Sequence, residues 1–569
     1  MPASARSAGS YKWTALSNTT LGTFMATVDS SIVIISMPAI FRGIALNPLE
    51  PANIGYLLWM LMGYMVCMAV LVVAFGRLGD MFGRVKMYNA GFLIFTLASI
   101  ALSLTPWQGG AAALYMILMR IVQGIGSAFL LANSAAILTD AFPVEERGFA
   151  MGINMIAAIA GQFIGLLAGG VLADIHWRLV FWVSVPVGLF GTVWAYWKLH
   201  ETGTHDPQEH DWLGNVTFAA GLILILVGIT YGIQPSGHHL MGWTSPDVVA
   251  ELSIGLLLLV AFVFIERRVA WPMVDLDLFK IRAFTAGNVA GLLSALGRGG
   301  LQFMLIIWLQ GIWLPLHGFA FERTPLWAGI YMLPLTVGFL VAGPLSGWLS
   351  DRHGARYYAT GGMLVGAVGF WSLMRLPANF GFVTFALLLC VMGIGTGLFA
   401  APNTTAIMNA VPANERGQAS GIRTTFINAG QVLSIGVFFS LMIIGLAGTL
   451  PSTMSASLIR EGVPAPVARQ AASEPPVASL FAAFLGYNPM QQLLPKSVLA
   501  SLPPKKAAAI TGKEFFPRLI SRPFMHGLQI AFTFSLLAYL IAAAASWMGG
   551  GRLGREEAGH RDMCHIVEL

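Results

Sequence analysis

Fourteen apolar runs, each about long enough to cross a bilayer, follow one another along the chain. A helix needs roughly 20 apolar residues to cross a hydrocarbon core about 30 Å thick. The runs are separated mostly by short polar connections and lie at 15–40, 54–75, 87–105, 111–139, 149–172, 179–199, 213–233, 248–265, 283–315, 326–349, 357–375, 379–408, 418–447 and 525–547. The pattern predicts an all-α polytopic membrane protein. Because the number of spans is even, both termini are expected on one side.

The composition supports this fold class. Charged residues make up only 10% of the 569 residues and hydrophobic residues 56%, whereas soluble domains carry about 25% charged residues. The formal net charge is +6, but Lys and Arg are not clustered with interleaved aromatic residues, which argues against nucleic-acid binding. We therefore expect the lipid bilayer, and no nucleic acid, as a partner. Cys67 and Cys390 lie inside apolar runs and Cys564 in the tail, which supports neither a disulfide framework nor a metal site.

Lys and Arg in the short connections indicate the orientation. Most of these cations fall on the inner side if both termini are cytoplasmic, as the positive-inside rule requires. The segment 448–524 then faces outward despite its eight Lys and Arg residues, because long loops translocate largely regardless of charge. Prolines interrupt this segment, and 479–485 is typical of a short amphipathic or interfacial helix. We expect a small outer cap that serves as a connector.

Two motifs of the first half recur 269 to 271 residues later in the chain. They are Gly76-x-x-x-Asp80-x-x-Gly83, repeated at Gly347, Asp351 and Gly354, and Glu146-Arg147-Gly148, repeated at 415–417. Spans one to six therefore match spans nine to fourteen, as in parallel repeats related by an axis along the membrane normal. The predicted domains are a six-helix bundle at 1–205, two added spans with a linker at 206–282, a second six-helix bundle at 283–549, and a cytoplasmic tail at 550–569.

Three charged residues lie deep inside predicted spans, namely Asp29, Arg120 and Arg298. Burying an ionisable group at the bilayer centre costs roughly 2.5–3.5 kcal/mol on insertion scales, so such groups are functional candidates. Desolvation and a neighbouring guanidinium change the proton affinity of a carboxylate in opposite directions, so an aspartate that changes partners can carry a proton. The repeat offset of 269 takes Asp29 to Arg298, and we expect the two to approach each other across a central cavity in at least one state. A purely structural role stays open for each of the three.

Other polar and aromatic residues are candidates for the wall of a substrate cavity. Gln123 lies one helical turn from Arg120 and can share its partners. Trp59, Trp308 and Gln302 lie in spans two and nine. For the tryptophans, the aromatic belt at the membrane interface is an alternative explanation.

Small residues mark two further places. Gly161, Gly165 and Gly169 of span five recur every four residues, which puts them on one helix face and predicts tight helix packing. The connection between spans two and three combines glycines with Asp80 and Arg84. Glycines there allow two helix ends to approach, Asp80 is predicted to cap the following helix, and Arg84 supplies cytoplasmic positive charge.

This connection, Gly76 to Lys86, resembles the signature loop between spans two and three of the major facilitator superfamily. Asp351 and Arg352 occupy the corresponding loop of the second half. The resemblance implies that these residues, with Gly76, Asp80, Gly83 and Arg84, form a loop that takes part in conformational switching.

Two further motifs carry the resemblance to the fourteen-span drug:proton antiporter subfamily. The stretch from Arg120 to Gly126 resembles the fourth-span motif, where an arginine takes part in proton transfer or charge balance. The span-five glycines resemble the glycine-rich motif of antiporters. Two positions depart from the pattern, since Leu166 stands where that motif has proline and Ile34 where the subfamily has asparagine.

The resemblance implies a major facilitator fold of two six-helix bundles plus two inserted helices. It also implies a monomeric, proton-coupled transporter of the bacterial inner membrane that exports small amphipathic or cationic compounds by alternating access. Protons and a small-molecule substrate are then its partners, and a proton gradient replaces any cofactor or metal. A transporter dedicated to one metabolite or lipid-like product, exporter or symporter, is the first alternative. A membrane-embedded sensor or enzyme is the second, although no phosphate-binding loop or catalytic motif occurs.

Overall fold

The structure is a computed structural model. It describes residues 3–549 except for 48–50, 144–145, 202–210, 237–238, 270–271, 273, 413–414 and 487. Within these residues the chain is helical, and thirteen helices are long and apolar enough to cross a bilayer. They coincide with thirteen of the fourteen predicted spans. The predicted tail at 550–569 lies outside the described residues.

The first bundle consists of six spans, the last of which is kinked between two helices. The helices are α1 (Ala3–Gly43), α2 (Pro51–Phe82), α3 (Arg84–Ser103), α4 (Gly109–Ala141), α5 (Arg147–Ile175), α6 (Leu179–Trp182) and α7 (Ser184–Lys198). The two added spans follow as α8 (Trp212–Gly232) and α9 (Pro246–Glu266). They pack against each other, and α8 also contacts α2.

The second bundle repeats this order with more interruptions. Its membrane-length segments are built from α10 (Arg282–Arg298), α11 (Leu301–Trp308), α12 (Leu314–Leu316), α13 (Thr324–Tyr331), α14 (Leu333–His353), α15 (Ala355–Leu373), α16 (Phe382–Asn409), α17 (Arg416–Arg460) and α23 (Phe515–Gly549). Glycines 299 and 300 interrupt span nine between α10 and α11, and a π-helical turn at Leu309–Trp313 interrupts it again before α12.

The eleventh predicted span corresponds to helix α15, the one predicted span that is missing from these thirteen helices. Its 19 residues are long enough to cross a bilayer. Arg356, two tyrosines and several glycines lower its hydropathy. Helices α16 and α23 pack against one side of it, while Leu364, Val368 and Trp371 are exposed on the other.

The outer segment is shorter than predicted. Helix α17 continues to Arg460 and α23 begins at Phe515, so both extend into the predicted range 448–524. Pro451 and Pro523 lie inside these helices without ending them. The remaining residues form a cap of five short helices: α18 (Ala465–Ala472), α19 (Pro476–Phe484), α20 (Met490–Leu493), α21 (Lys496–Ser501) and α22 (Pro504–Thr511).

The two bundles share one turn geometry where their second and third spans meet. Helix α2 runs on to Phe82 and α3 starts at Arg84, so Gly83 alone joins them, at φ 106°. Gly354 joins α14 to α15 in the same way, at φ 90°. A residue with a side chain is strained in this left-handed region, which explains why both halves carry glycine here.

The buried clusters show where the bundles touch. We call the end that holds the cap the cap end, and the opposite end, where Gly549 packs beside Ala286, the termini end. The largest cluster combines both bundles and the cap, from Ile32 of α1 to Phe481 of α19. The clusters nearest the termini end belong to one bundle each, one around Tyr88 and Phe92 and another around Phe284 and Ile407. A further cluster joins Val66 of α2 to Val432 of α17. The bundles therefore share a core at the cap end, touch again between α2 and α17, and have separate cores at the termini end.

Candidate functional site

A closed polar network surrounds Asp29 inside the first bundle. Arg120 of α4 donates a hydrogen bond to Oδ2 of Asp29. Gln123 donates from Nε2 to the other carboxylate oxygen at 2.8 Å, and its own side-chain oxygen accepts from Arg120 at 2.6 Å. Nε2 of Gln123 also lies 2.8 Å from the hydroxyl of Ser99. The network is therefore built around an ion pair, and protonation of Asp29 would remove the negative charge of that pair.

Tyr64 of α2 closes the network on one side. The guanidinium carbon of Arg120 lies 4.2 Å from the centre of the tyrosine ring, a favourable cation–π geometry. The Tyr64 hydroxyl lies 2.6 Å from that of Ser127 and donates to the carbonyl of Ala26 at 3.0 Å. Asp29 is 0% exposed and Arg120 1%, so water does not reach the pair in this state.

Glycines of α4 bring its charge into place. A side chain at Gly124 would lie 2.8 Å from the carbonyl oxygen of Tyr64, and one at Gly126 would lie 2.7 Å from the backbone nitrogen of Phe95. Helix α4 thus packs directly against the backbones of α2 and α3. Arg120, one turn before Gly124, is carried into the bundle interior by this packing.

Arg298 lies apart from the Asp29 network. Its neighbours on α10 pack within the second bundle, since Gly297 abuts the ring of Tyr539 and Gly299 abuts the backbone of Gln431. The Nε of Arg298 is buried without a hydrogen-bond partner, and Arg298 forms no ion pair with any described carboxylate. The expected approach of Asp29 and Arg298 is not present in this state.

The four cavity candidates have different surroundings. Gln123 belongs to the Asp29 network. Trp308 is fully buried in the second bundle, and its ring meets Phe380 edge-on at 4.9 Å, which makes it a packing residue in this state. Trp59 is partly buried beside Tyr231 of α8. Gln302 accepts a hydrogen bond from Gln162 of α5 at 3.0 Å, so it lies where the two bundles meet.

The three span-five glycines lie along the contact between α5 and α1. A side chain at Gly161 would collide with Thr27 and the Phe24 carbonyl, and one at Gly165 with Ser31 and the Val28 carbonyl. Gly169 faces Ile35, and its carbonyl accepts a hydrogen bond from Ser36 at 3.0 Å. The adjacent Gly170 touches Leu326 of α13. One face of α5 therefore holds α1, and the next position contacts the second bundle.

Two of the candidate switch residues of the first bundle, Asp80 and Arg84, form an ion triad with Asp140 of α4. Arg84 donates to Asp80 at 2.8 Å and to Asp140 of α4 at 2.6 Å. Asp80 lies inside α2 and does not cap α3, whose N-cap is Gly83; the capping prediction is wrong because α2 continues past Asp80. Gly79 lies against the Asn133 side chain, whereas a side chain at Gly76 would make only an ordinary contact with Ala132, at 3.9 Å.

The second bundle lacks a described counterpart of this triad. Asp351 lies in the last turn of α14, but its side chain is outside the described part of the structure. Arg352 stacks over the ring of Trp348 at 4.0 Å instead of pairing with a described carboxylate. The two halves therefore share glycine turns, and the described side chains of the second half do not repeat the Arg84 triad.

Sequence reasoning missed Asp140, Tyr64, Ser99 and Arg423. Asp140 lies close to a span end, where a carboxylate looks like an ordinary loop charge. Tyr64 and Ser99 are common residues in apolar runs and carry no pattern. Arg423 lies near the start of α17, and its Nε is buried without a hydrogen-bond partner.

The fold and the buried ion pair define a polytopic membrane transporter built from two related bundles. The sequence model described as Major Facilitator Superfamily matches residues 19–435 and 289–556. The chain belongs to the Major Facilitator Superfamily, as the sequence motifs predict.

Curated relatives include resistance and export proteins. The chain is 30% identical to the multidrug resistance protein Stp of Mycobacterium tuberculosis (strain ATCC 25618 / H37Rv), over 80% of this chain and 80% of that protein. It is 26% identical to the tetracenomycin C resistance and export protein of Streptomyces glaucescens, over 94% and 91%. It is 27% identical to the riboflavin transporter RibZ of Clostridioides difficile (strain 630), over 75% and 88%.

Solved structures share the fold. A bacterial homologue of the human lysosomal transporter Spinster matches with a TM-score of 0.55 and 14% identity, over 95% of this chain and 98% of that chain. A D-xylose–proton symporter matches with a TM-score of 0.51 and 13% identity, over 76% and 90%.

Proposed function

We propose that this transporter exports small amphipathic compounds, cations among them, in exchange for protons. The observation that carries the proposal is the enclosed pair of Asp29 and Arg120, with Gln123 bonded to both partners. An ion pair fully buried in a bilayer-spanning bundle is costly unless each charge is compensated. Loading a proton on Asp29 removes the negative charge opposite Arg120 and so weakens the attraction that holds α1 to α4.

Gln123 makes the exchange of partners possible. When Asp29 is protonated, Arg120 keeps the Gln123 side-chain oxygen and the face of Tyr64 as partners. The guanidinium then does not become an unpartnered buried cation. Because α5 holds α1 on one face and meets the second bundle at the next position, a change at α1 reaches the seam between the bundles through a single helix.

We propose that it works by alternating access in a bacterial inner membrane with both termini in the cytoplasm, and the packing supports the alternating access. The bundles have a shared core at the cap end and separate cores at the termini end. This state is therefore closed at the cap end. On the proposed orientation its substrate would enter from the cytoplasm and leave at the cap end, with the chain working as a monomer and without a cofactor or metal.

Everted membrane vesicles test the direction of coupling. Respiration acidifies their interior, and ethidium serves as the amphipathic cation. Exchange predicts that added ethidium releases protons from the vesicles, seen as a rise in internal pH, only when the transporter is present. A fall in internal pH on ethidium addition would indicate symport, and ethidium transport with no proton movement would contradict proton coupling.

A transporter dedicated to one metabolite is the second candidate. The riboflavin transporter among the relatives favours it, and the charge of Asp29 is balanced by Arg120, which leaves no strong preference for a cation. Uptake of riboflavin and of ethidium by the same vesicles separates the two candidates. A dedicated carrier moves one compound and ignores chemically unrelated ones.

A further inference from the structure

One helix of the cap lies inside the mouth between the two bundles. All nine residues of α19 are buried, so the prediction of an amphipathic or interfacial helix at 479–485 is wrong. The reason is its apolar sequence, Pro-Val-Ala-Ser-Leu-Phe-Ala-Ala-Phe, which has no polar face to present to water. Helix α19 contacts α2 of the first bundle as well as α11 and α17 of the second.

The contacts of α19 with the second bundle are close and apolar. The Phe481 ring packs 5.5 Å from that of Phe439 on α17. At Gly311, in the π-helical turn of span nine, a side chain would lie 2.5 Å from the Ala483 carbonyl oxygen. At the end of α19, Gly486 lies directly against the Phe321 ring. Close packing of this kind resists separation.

The polar contacts that the cap makes with the end of α1 and the residues just after it are of a different kind. Arg42 reaches the carbonyl of Leu485 at 3.4 Å, and Asn47 donates to the Gln492 side chain at 3.2 Å. The second of these bonds is exposed. Beside them lies a cavity of about 230 Å³ between α1 and the cap, lined by Pro38, Phe41, Leu485 and Gly486 among others. A seam held by long polar contacts around a cavity separates at lower cost than a packed apolar interface.

We propose that α19 is the second bundle's half of the gate at the cap end. When this end opens, the contacts of Arg42 and Asn47 with the cap break, and so does the contact of α19 with α2. Helix α19 stays attached to α17 and to the π-helical turn, and moves with the second bundle. The segment between α17 and α23 is thus a working part of the gate and not a passive connector. The proposal needs two bundles that rock, and it holds for exchange and symport alike.

Distances between spin labels in the full-length protein test this gate without any substrate. The native cysteines 67, 390 and 564 are replaced by alanine, and labels are attached at exposed positions through Gln108→Cys on the first bundle, Arg323→Cys on the second and Gln491→Cys on the cap. Three double variants report three separations: first bundle to cap, second bundle to cap, and bundle to bundle. Pulsed electron paramagnetic resonance is recorded in nanodiscs from pH 5 to pH 9.

The proposal predicts that the first-bundle-to-cap and bundle-to-bundle distances gain a longer population together, while the second-bundle-to-cap distance keeps one value. A second-bundle-to-cap distance that lengthens would overturn the proposal, since α19 would then leave the second bundle. Bundles that separate at constant first-bundle-to-cap distance would overturn it too. So would a single bundle-to-bundle distance at every pH, because the cap end would then not open. None of these measurements uses ethidium or follows proton movement across the membrane, so the proposed function is tested separately.

Discussion

Arg120 pairs with Asp29 inside the first bundle, from a neighbouring helix, and both side chains are sealed from water. Arg298, the residue that the repeat offset relates to Asp29, lies in the other bundle without an ion-pair partner among the described residues. The coupling element proposed here is therefore local to one bundle. Its effect on the other bundle has to pass through helix packing.

Removing Arg120 alone should be more harmful than removing the whole pair. Arg120→Gln leaves the Asp29 carboxylate buried without its cation, and we expect a loss of about 3–5 kcal/mol in unfolding free energy. In the double variant Asp29→Asn/Arg120→Gln no charge is left uncompensated, so most of that loss should be recovered. Thermal unfolding of the detergent-solubilised variants measures both. Additive losses in the double variant would show that the two side chains do not act as a pair.

A methyl group in the α1–α5 contact should loosen the first bundle. Gly165→Ala places a side chain against the Ser31 hydroxyl and the Val28 carbonyl, and overpacking of this kind costs about 1–3 kcal/mol. Gly152→Ala on the same helix is the matched control, because nothing lies within 4 Å of its added side chain. We expect a lower unfolding temperature for the first variant and an equal or slightly higher one for the second, because alanine favours a helix over glycine where space is free. Equal unfolding temperatures would contradict the close contact.

Breaking the Arg84 triad should shift the balance between conformations and leave the fold intact. The three side chains are 20–35% exposed, so each ion pair contributes about 0.5–1 kcal/mol after screening. Arg84→Ala should therefore change the ratio of the two bundle-to-bundle distance populations a few-fold. Arg352→Ala in the second bundle, where the arginine stacks on Trp348, should change it less. If both substitutions had the same effect, the triad would have no special role in switching.

The sequence predicts most of the fold, because apolar runs indicate which segments cross the membrane and glycines indicate unusual backbone conformations. Membrane-length apolar runs became long helices, and the glycines at 83 and 354 mark positive-φ turns that few other residues tolerate. Helix α15 shows the limit of hydropathy, since its polar residues are compensated by neighbouring helices. The apolar runs stop at 447 and start again at 525, whereas α17 and α23 continue into the more polar outer segment, through Pro451 and Pro523.

The site was harder to predict. The repeat offset gives the depth of a residue in the membrane but not the direction of its side chain, which turns by about 100° per residue. Arg298 therefore matches Asp29 in its position along the span, but it lies in the second bundle and makes no ion pair with a described carboxylate. Tyr64 and Asp140 reach the networks through packing of α2 and α4, which no local pattern reveals. The buried α19 was missed because burial in a mouth between bundles is a property of the assembled fold.

The most direct test of the account compares Asp29→Asn with Asp277→Asn. The Asp277 side chain is 72% exposed and forms a surface ion pair with Lys280. Vesicles containing each variant are given ethidium with and without a proton gradient. We predict that Asp29→Asn still lets ethidium equilibrate down its gradient but no longer accumulates it against that gradient, while Asp277→Asn does both. Proton-driven accumulation by Asp29→Asn at the level of the control would contradict the central claim that Asp29 carries the coupled proton.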